Sequence, residues 1–347
     1  MLSSRFWAGS QMLAIFLLLG LAICPTLHAN TPLDSSIISM FPKDVKELKY
    51  ADLSGSRQFA WFPQFQAQLV PNDVLGLEQL LEATQGAQPD GVQPEGVPPE
   101  GDQPPEQHPS IEQVAWAQVP ISGSAQVVAI GVGQFDVGAI KMFLDSRGVS
   151  PIPAGSYEIY APQPDLGMPE GYFSLIDNRT VAVGPLEGLQ RILEIRAQKQ
   201  PNLSGNADLM NLISQVNGQA VFWSVLDAAQ ARTAVQHLVP EVMKFPQAND
   251  VVVKLKQLSI SVKGSEEMQF DFKVDSGSAK DAVVLSQLLE ASMLAQRHQS
   301  AQDNPDLAKV LDGMVIKPSG NQLDVRLTVT EEQMRGLADQ NTFRLLM

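Results

Sequence analysis

The stretch LSISVKGSEEMQFDFKV, residues 258–274, decides the fold class. Leu258, Ile260 and Val262 alternate with Ser259, Ser261 and Lys263. Beyond the polar residues 264–267, Phe270, Phe272 and Val274 alternate with Asp271 and Lys273. Successive side chains of a strand point to opposite faces, so a period of two predicts a β-hairpin with one face buried and the other wet. A helix should follow, striped by Leu285, Leu288, Leu289 and Met293. Leu323, Val325, Leu327 and Val329 then alternate with Asp324, Arg326 and Thr328 as another strand. Upstream, residues 220–226 read as a strand, and Asp227 is placed to cap a helix carrying Ala228, Ala231, Val235, Leu238 and Val239. Strand, helix, strand, strand, helix, strand is the split βαβ order of a ferredoxin-like fold.

The first half repeats that order. Residues 50–62 read as a strand, and Val74, Leu77, Leu80 and Leu81 stripe a helix after Pro71. Residues 111–119 and 126–132 form a strand pair rich in β-branched side chains. Asp136 caps a helix with Val137, Ile140 and Leu144 inward, ended by Gly148. Residues 157–160 are a short strand, and 172–176 with 180–183 a further hairpin. Two helices, 186–197 and 208–216, bridge to the second half. The expectation is an α+β protein of two tandem ferredoxin-like repeats, with antiparallel sheets and helices packed on one face. The first repeat with its bridging helices spans 30–217 and the second 218–347.

Between the first helix and the second strand of the first repeat lies QPDGVQPEGVPPEGDQPPEQ, residues 88–107. Its loose period of five excludes collagen, which needs glycine at every third position. With Val92 and Val97 as its large apolar residues it cannot bury enough surface to fold, and 86–109 is expected to be a disordered acidic insertion in a surface loop. A proline-rich docking ligand would carry a basic anchor, and none lies between Gln85 and Gln113.

The segments Phe41-Pro42-Lys43-Asp44, Tyr157-Glu158-Ile159-Tyr160 and Ile176-Asp177-Asn178-Arg179-Thr180-Val181-Ala182-Val183-Gly184, with residues 220–227, resemble a group of exported bacterial proteins of unknown function built from tandem ferredoxin-like repeats. The likeness spans roughly residues 40–335 and is one of pattern. It implies a fold and an envelope location, and it transfers no functional residues.

The N-terminus points the same way. Arg5 precedes an apolar run from Met12 to Ile23, Pro25 breaks it, and Ala29 offers a small residue for cleavage, the three-part layout of a secretory signal over residues 1–29. The run falls short of the ~20 residues of a comfortable membrane span. Two other outcomes stay open: an uncleaved anchor, and lipidation at Cys24, against which stands Ile23 where a small residue is expected. Cleavage after Ala29 removes Cys24, the chain's one cysteine, and with it disulfides, thiol nucleophiles and thiolate metal sites. The chain carries 24 basic and 38 acidic residues, net −14, and loss of the signal removes one further positive charge, Arg5. So acidic a chain repels phosphate backbones and argues against nucleic acid as a partner. Membrane contact is expected only through the N-terminal segment.

No catalytic motif emerges. His108 lies in the acidic insertion, and His237 and His298 lie on predicted helices without HExxH or paired spacing, so no metal is expected. No GxSxG elbow occurs. Gly131-Val132-Gly133 would need its third glycine at Asp136, where a carboxylate would repel a pyrophosphate, and no nucleotide cofactor is expected. Phe59-Ala60-Trp61-Phe62 is apolar on both faces of the expected strand, which makes Phe59, Trp61 and Phe62 the candidate partner surface. The reading is a non-catalytic exported binding or scaffold protein, its partner unknown. The alternative is an exported hydrolase with a site assembled from loops, which would hold an acid and a base together in one pocket.

Overall fold

The computed structural model describes residues 30–59, 62–63, 66, 70–85, 110–163, 169–264, 267–303, 305–330 and 332–333. Residues 1–29 with Cys24, residues 86–109 with His108, and Trp61 lie outside the described residues.

A short helix, α1 (Ser35–Ile38), leads into β1 (Glu47–Asp52), followed by α2 (Leu53–Ser56), α3 (Asn72–Gln85), β2 (Ile111–Ile121), β3 (Ser124–Gly133) and α4 (Val137–Ser146). A small ladder of β4 (Ile152–Ala154) and β5 (Tyr157–Ile159) precedes β6 (Tyr172–Leu175) and β7 (Thr180–Gly184). Then come α5 (Leu186–Arg196) and α6 (Ala207–Val216). The second half runs β8 (Phe222–Leu226), α7 (Ala228–Leu238), α8 (Ala248–Val252), β9 (Gln257–Lys263), β10 (Glu267–Asp275), α9 (Ala279–Asp303), α10 (Pro305–Asp312), β11 (Val315–Ser319) and β12 (Gln322–Thr330). The capping aspartates act as their positions suggest. Asp136 Oδ1 accepts from Ala139 N at 2.9 Å, and Asp227 Oδ1 accepts from Ala229 N and Gln230 N at 2.9 and 3.0 Å.

Ten strands form one sheet in the order β11-β12-β10-β9-β8-β1-β2-β3-β7-β6, every neighbouring pair antiparallel. Read outward from the centre, the halves are alike: β1-β2-β3-β7-β6 on one side, β8-β9-β10-β12-β11 on the other. Each is a first strand, helices, a hairpin, helix, and a second hairpin whose later strand lies inside the earlier one. The chain is therefore a tandem α+β repeat, joined head to head where β1 pairs with β8 from Glu47↔Leu226 to Ala51↔Phe222.

The strand order departs from the ferredoxin-like expectation. A split βαβ brings the second strand back parallel to the first with a strand's width between them, whereas β8 and β9 are direct antiparallel neighbours, Phe222↔Val262 to Leu226↔Leu258. The cause is the connection. After α7 come a 3-10 turn (Pro240–Lys244) and α8, so the chain goes out and returns, re-entering the sheet beside the strand it left. The expectation of helices on one face is corrected as well. In the first repeat both faces are covered. Ala51, Val114, Trp116, Ala129, Val181 and Val183 face a core with α3 and α4, while Leu48, Tyr50, Ala115, Ala117, Val128, Ile130 and Ala182 face another with α1, α5 and α6. The physical reason is that β2, β3 and β7 are apolar at consecutive positions, so either face left bare would expose a slab of hydrocarbon.

The second repeat is covered on one face. Leu226, Leu258, Ile260, Val274, Leu323 and Val325 pack under α7, α8 and α9. On the opposite face, α6 lies over β8 and the near edge of β9. Trp223 there stacks on Tyr50 across the joint, centroids 5.3 Å apart at 27°. Beyond α6, no described element lies over β10, β12 and β11.

Candidate binding surface

Two of the three aromatic candidates, Phe59 and Phe62, pack into the core. The backbone leaves the strand at Asp52, whose Oδ1 accepts from Gly55 N at 2.8 Å and starts α2, so residues 53–59 do not continue the strand. Phe62 is 2% exposed in the first core, and Phe59 is half-buried against that core with its ring over Gly264. Trp61 lies outside the described residues.

The uncovered face of the second repeat follows from the alternation that defined its strands. With Phe270, Phe272, Leu323 and Val325 turned to the helices, Gln269, Asp271, Lys273, Asp324, Arg326 and Thr328 turn the other way, joined by Lys263 of β9 and by Val315 and Lys317 of β11. Register sets these side chains in rows across the strands. Ser261, Asp271, Arg326 and Val315 make one row, and Ser259, Lys273, Asp324 and Lys317 the next. Lys263, Lys273, Arg326, Val315 and Lys317 are all exposed.

Asp271 organises the first row. Its carboxylate accepts from Arg326 Nε at 2.8 Å and Gln269 Nε2 at 2.7 Å, and Lys263 Nζ sits 3.2 Å away. Burial works against its charge, but those three donors outweigh burial and hold the carboxyl below its ordinary value. The same contact raises the Arg326 pKa above its ordinary value. In the second row Asp324 stands between Lys273 and Lys317, and its Oδ1 is buried without a hydrogen-bond partner in the protein. Glu267 and Asp275 bound the face at the two ends of β10, and Asp275 is held by Gly277 N and Asn321 Nδ2, each at 2.9 Å. The result is a flat, charged sheet face whose central acid is locked by its neighbours while Lys273 and Lys317 reach into solvent.

His237 and His298 are exposed on α7 and α9. Burial raises the Glu78 carboxyl while Arg57 opposes, and the groups touching it are Arg57 and Gln66. At the joint between the repeats Lys49 Nζ lies 2.6 Å from Glu47 Oε1 and is in register with Ser224, whose buried Oγ has no hydrogen-bond partner in the protein. The ammonium there is engaged by the glutamate rather than the serine, which is not the arrangement of a serine nucleophile with its base. An open groove of about 500 Å³ beside the β2–β3 turn holds Arg191 and Asp44, but Arg191 spends its guanidinium on Asp44 at 2.8 and 2.9 Å and on the Pro120 carbonyl. Among the described residues no three His, Cys, Asp or Glu side chains gather as metal ligands.

Comparison with known proteins adds little. No family model matches the chain, and no curated protein does. Among solved structures it is similar to TP0453 in crystal forms I and III, at 11% identity and a TM-score of 0.47, covering 88% of this chain and 97% of that one. At that overlap the likeness carries no argument about the surface.

The outward positions of β9, β10 and β12 were visible in the alternation, but their grouping was not. Asp271 and Arg326 are 55 residues apart, and only the β10–β12 register makes them neighbours.

Proposed function

We propose that the chain is an exported, non-catalytic binding or scaffold protein of the cell envelope, built from tandem α+β repeats, and that it meets its partner on the face of β10, β12 and β11 opposite the helices. One observation carries the reading. Two repeats of the same strand order differ in that α5 and α6 close this face in the first, while among the described residues the second leaves it open and furnishes it with side chains fixed by mutual hydrogen bonds. A rigid sheet presenting pre-set polar groups loses little entropy on binding. Export is supported by the three-part segment at residues 1–29 and by the resemblance to exported tandem-repeat proteins.

The test is site-specific photo-crosslinking in the native envelope. A photoreactive residue at Thr328 is expected to give a discrete adduct in the extracytoplasmic fraction, and one at Lys199, exposed on the first repeat, is expected to give none. Equal capture at both positions, or at neither, contradicts the reading.

A further inference from the structure

We infer that removal of residues 1–29 completes an ion pair inside the fold, in which the new α-ammonium of Asn30 neutralises the buried carboxylate of Asp52. The inference rests on the export reading and gives the processing step a structural role. Thr31 N donates to Asp52 Oδ2 at 3.1 Å, and the Thr31 carbonyl accepts from Tyr50 Oη at 2.5 Å and Gln113 Nε2 at 3.5 Å. Leu33 N donates to Asn217 Oδ1 at 2.8 Å, and the Leu33 carbonyl accepts from Asn217 Nδ2 at 2.9 Å. The Leu33 side chain is buried in the second core. Residues 31–33 are thus a strap tied to β1, to β2 and to the end of α6.

Asp52 is 2% exposed, and its oxygens accept from Gly55 N and Thr31 N. Both donors are neutral amides, and among the described residues Asp52 forms no ion pair. A carboxylate buried without a cation is costly. The chain itself carries a source of that cation. Hydrolysis of the Ala29–Asn30 bond by an export peptidase consumes one water, leaves the carboxylate on Ala29 and leaves the ammonium on Asn30. Consecutive backbone nitrogens stand at most about 3.7 Å apart, so the ammonium lies within roughly 7 Å of Asp52 Oδ2, and rotation about ψ of Asn30 brings it closer. Asn30 is half-buried, so solvent screens the pair only in part. Before hydrolysis the same nitrogen is an uncharged amide.

The experiment uses the chain purified from the extracytoplasmic fraction of its native host. Its mass should be that of residues 30–347. Amine-selective labelling across pH should place the α-amine of the folded chain about one unit or more above its ordinary value of about 7.7–8.0. A raised folded value means that the pair adds stability fully present below the ordinary value and lost as pH rises through the folded one. The strap's titratable neighbours change state outside that window. Burial and then the Asp52 charge push the Tyr50 phenol up, and hydrogen bonds from Ser36 hold Asp34 down, with Arg179 a smaller contributor. Gln113 and Asn217, which reach the strap from β2 and α6, do not titrate. Inserting two glycines between Ala29 and Asn30 keeps every strap residue and moves the ammonium away. That variant should show an ordinary α-amine and melt below the parent near neutral pH, the gap closing as pH rises through the parent's folded value. Asp52→Asn should likewise return the amine to its ordinary value, and if it does not fold, the insertion carries the test. A mass that begins at any other residue, a lipid-modified Cys24 included, overturns the inference while leaving export intact, whereas absence of the chain from that fraction overturns both. An ordinary α-amine in the parent, or a melting gap that does not change with pH, also overturns the inference.

Discussion

The two repeats share one strand order and differ in how their strands are written. In the first, β7 reads Thr-Val-Ala-Val-Gly, buried at all five positions, and β2 is buried at five consecutive positions from Gln113 to Ala117. In the second, β10 and β12 alternate strictly enough that one face is helix-covered hydrocarbon and the other is Gln, Asp, Lys, Arg and Thr. The same topology thus supports a strand layer sealed on both sides or one left open, and the choice lies in the odd or even positions of three strands. Closing a face takes apolar side chains beneath and a helix above. The second repeat has α6 reaching only as far as β9, and its polar outer positions give a helix nothing to bury beyond that point.

The largest expected effect concerns the joint. The fragment 218–347 loses the β1–β8 pairing and the α6 cover of Trp223 and Val225, both fully buried in the intact chain. It is expected to aggregate or exchange its amides uniformly fast. Slow protons on β9, β10 and β12 in the isolated fragment would show instead that the second repeat is an independent domain. A smaller effect separates the closed face from the open one. A Cβ at Gly188 on α5 would stand 2.6 Å from Val128 Cγ2, so Gly188→Ala must shift the Val128 side chain or the helix and should cost about 1–3 kcal/mol. Thr328→Ala, on the open face, should stay within about 0.5 kcal/mol. Chemical denaturation of the two variants checks the contrast, and equal costs would break it.

A narrower effect than that at Gly188 is expected at Asp271. A carboxyl held below its ordinary value adds stability that is fully present above the unfolded value of about 3.9 and is lost as pH falls through the folded value. Asp271→Asn should therefore cost about 1–2 kcal/mol near neutral pH, and the gap to the parent should close as the pH drops below the ordinary aspartate range. A gap independent of pH would mean that the Arg326 and Lys263 contacts contribute nothing through charge.

Much of this was legible in the residues. The alternation in 258–274 and 323–329 named both the strands and their wet face, and Asp136 and Asp227 marked helix starts that the structure confirms by hydrogen bond. Partner choice was not legible, because a period of two says which face a side chain takes and nothing about which strand lies beside it. That is why the split βαβ order was expected and a direct β8–β9 pair was found. β11 was missed because Pro318 discourages a strand assignment; at an edge the missing N–H costs nothing if it faces away from the ladder. The run 59–62 reads as strand continuation because its side chains are aromatic and apolar, whereas the helix start at Asp52 shows only in its hydrogen bond to Gly55 N. The open face was half visible: its residues could be named as outward, but Asp271, Arg326 and Lys263 became a cluster only through register.

The most direct test of the account is cysteine labelling of the purified chain at matched positions of the two repeats. Lys273→Cys, exposed on the open face, should react with a soluble maleimide at nearly the rate of a free thiol, and Thr328→Cys, half-buried there, should react in the folded state at a lower but comparable rate. Ala182→Cys, fully buried beneath the helices on the same face of the first repeat, should react only on unfolding. Protection of Thr328→Cys and Lys273→Cys comparable to that of Ala182→Cys would mean that the second repeat is closed as the first is, and the open binding face would not exist.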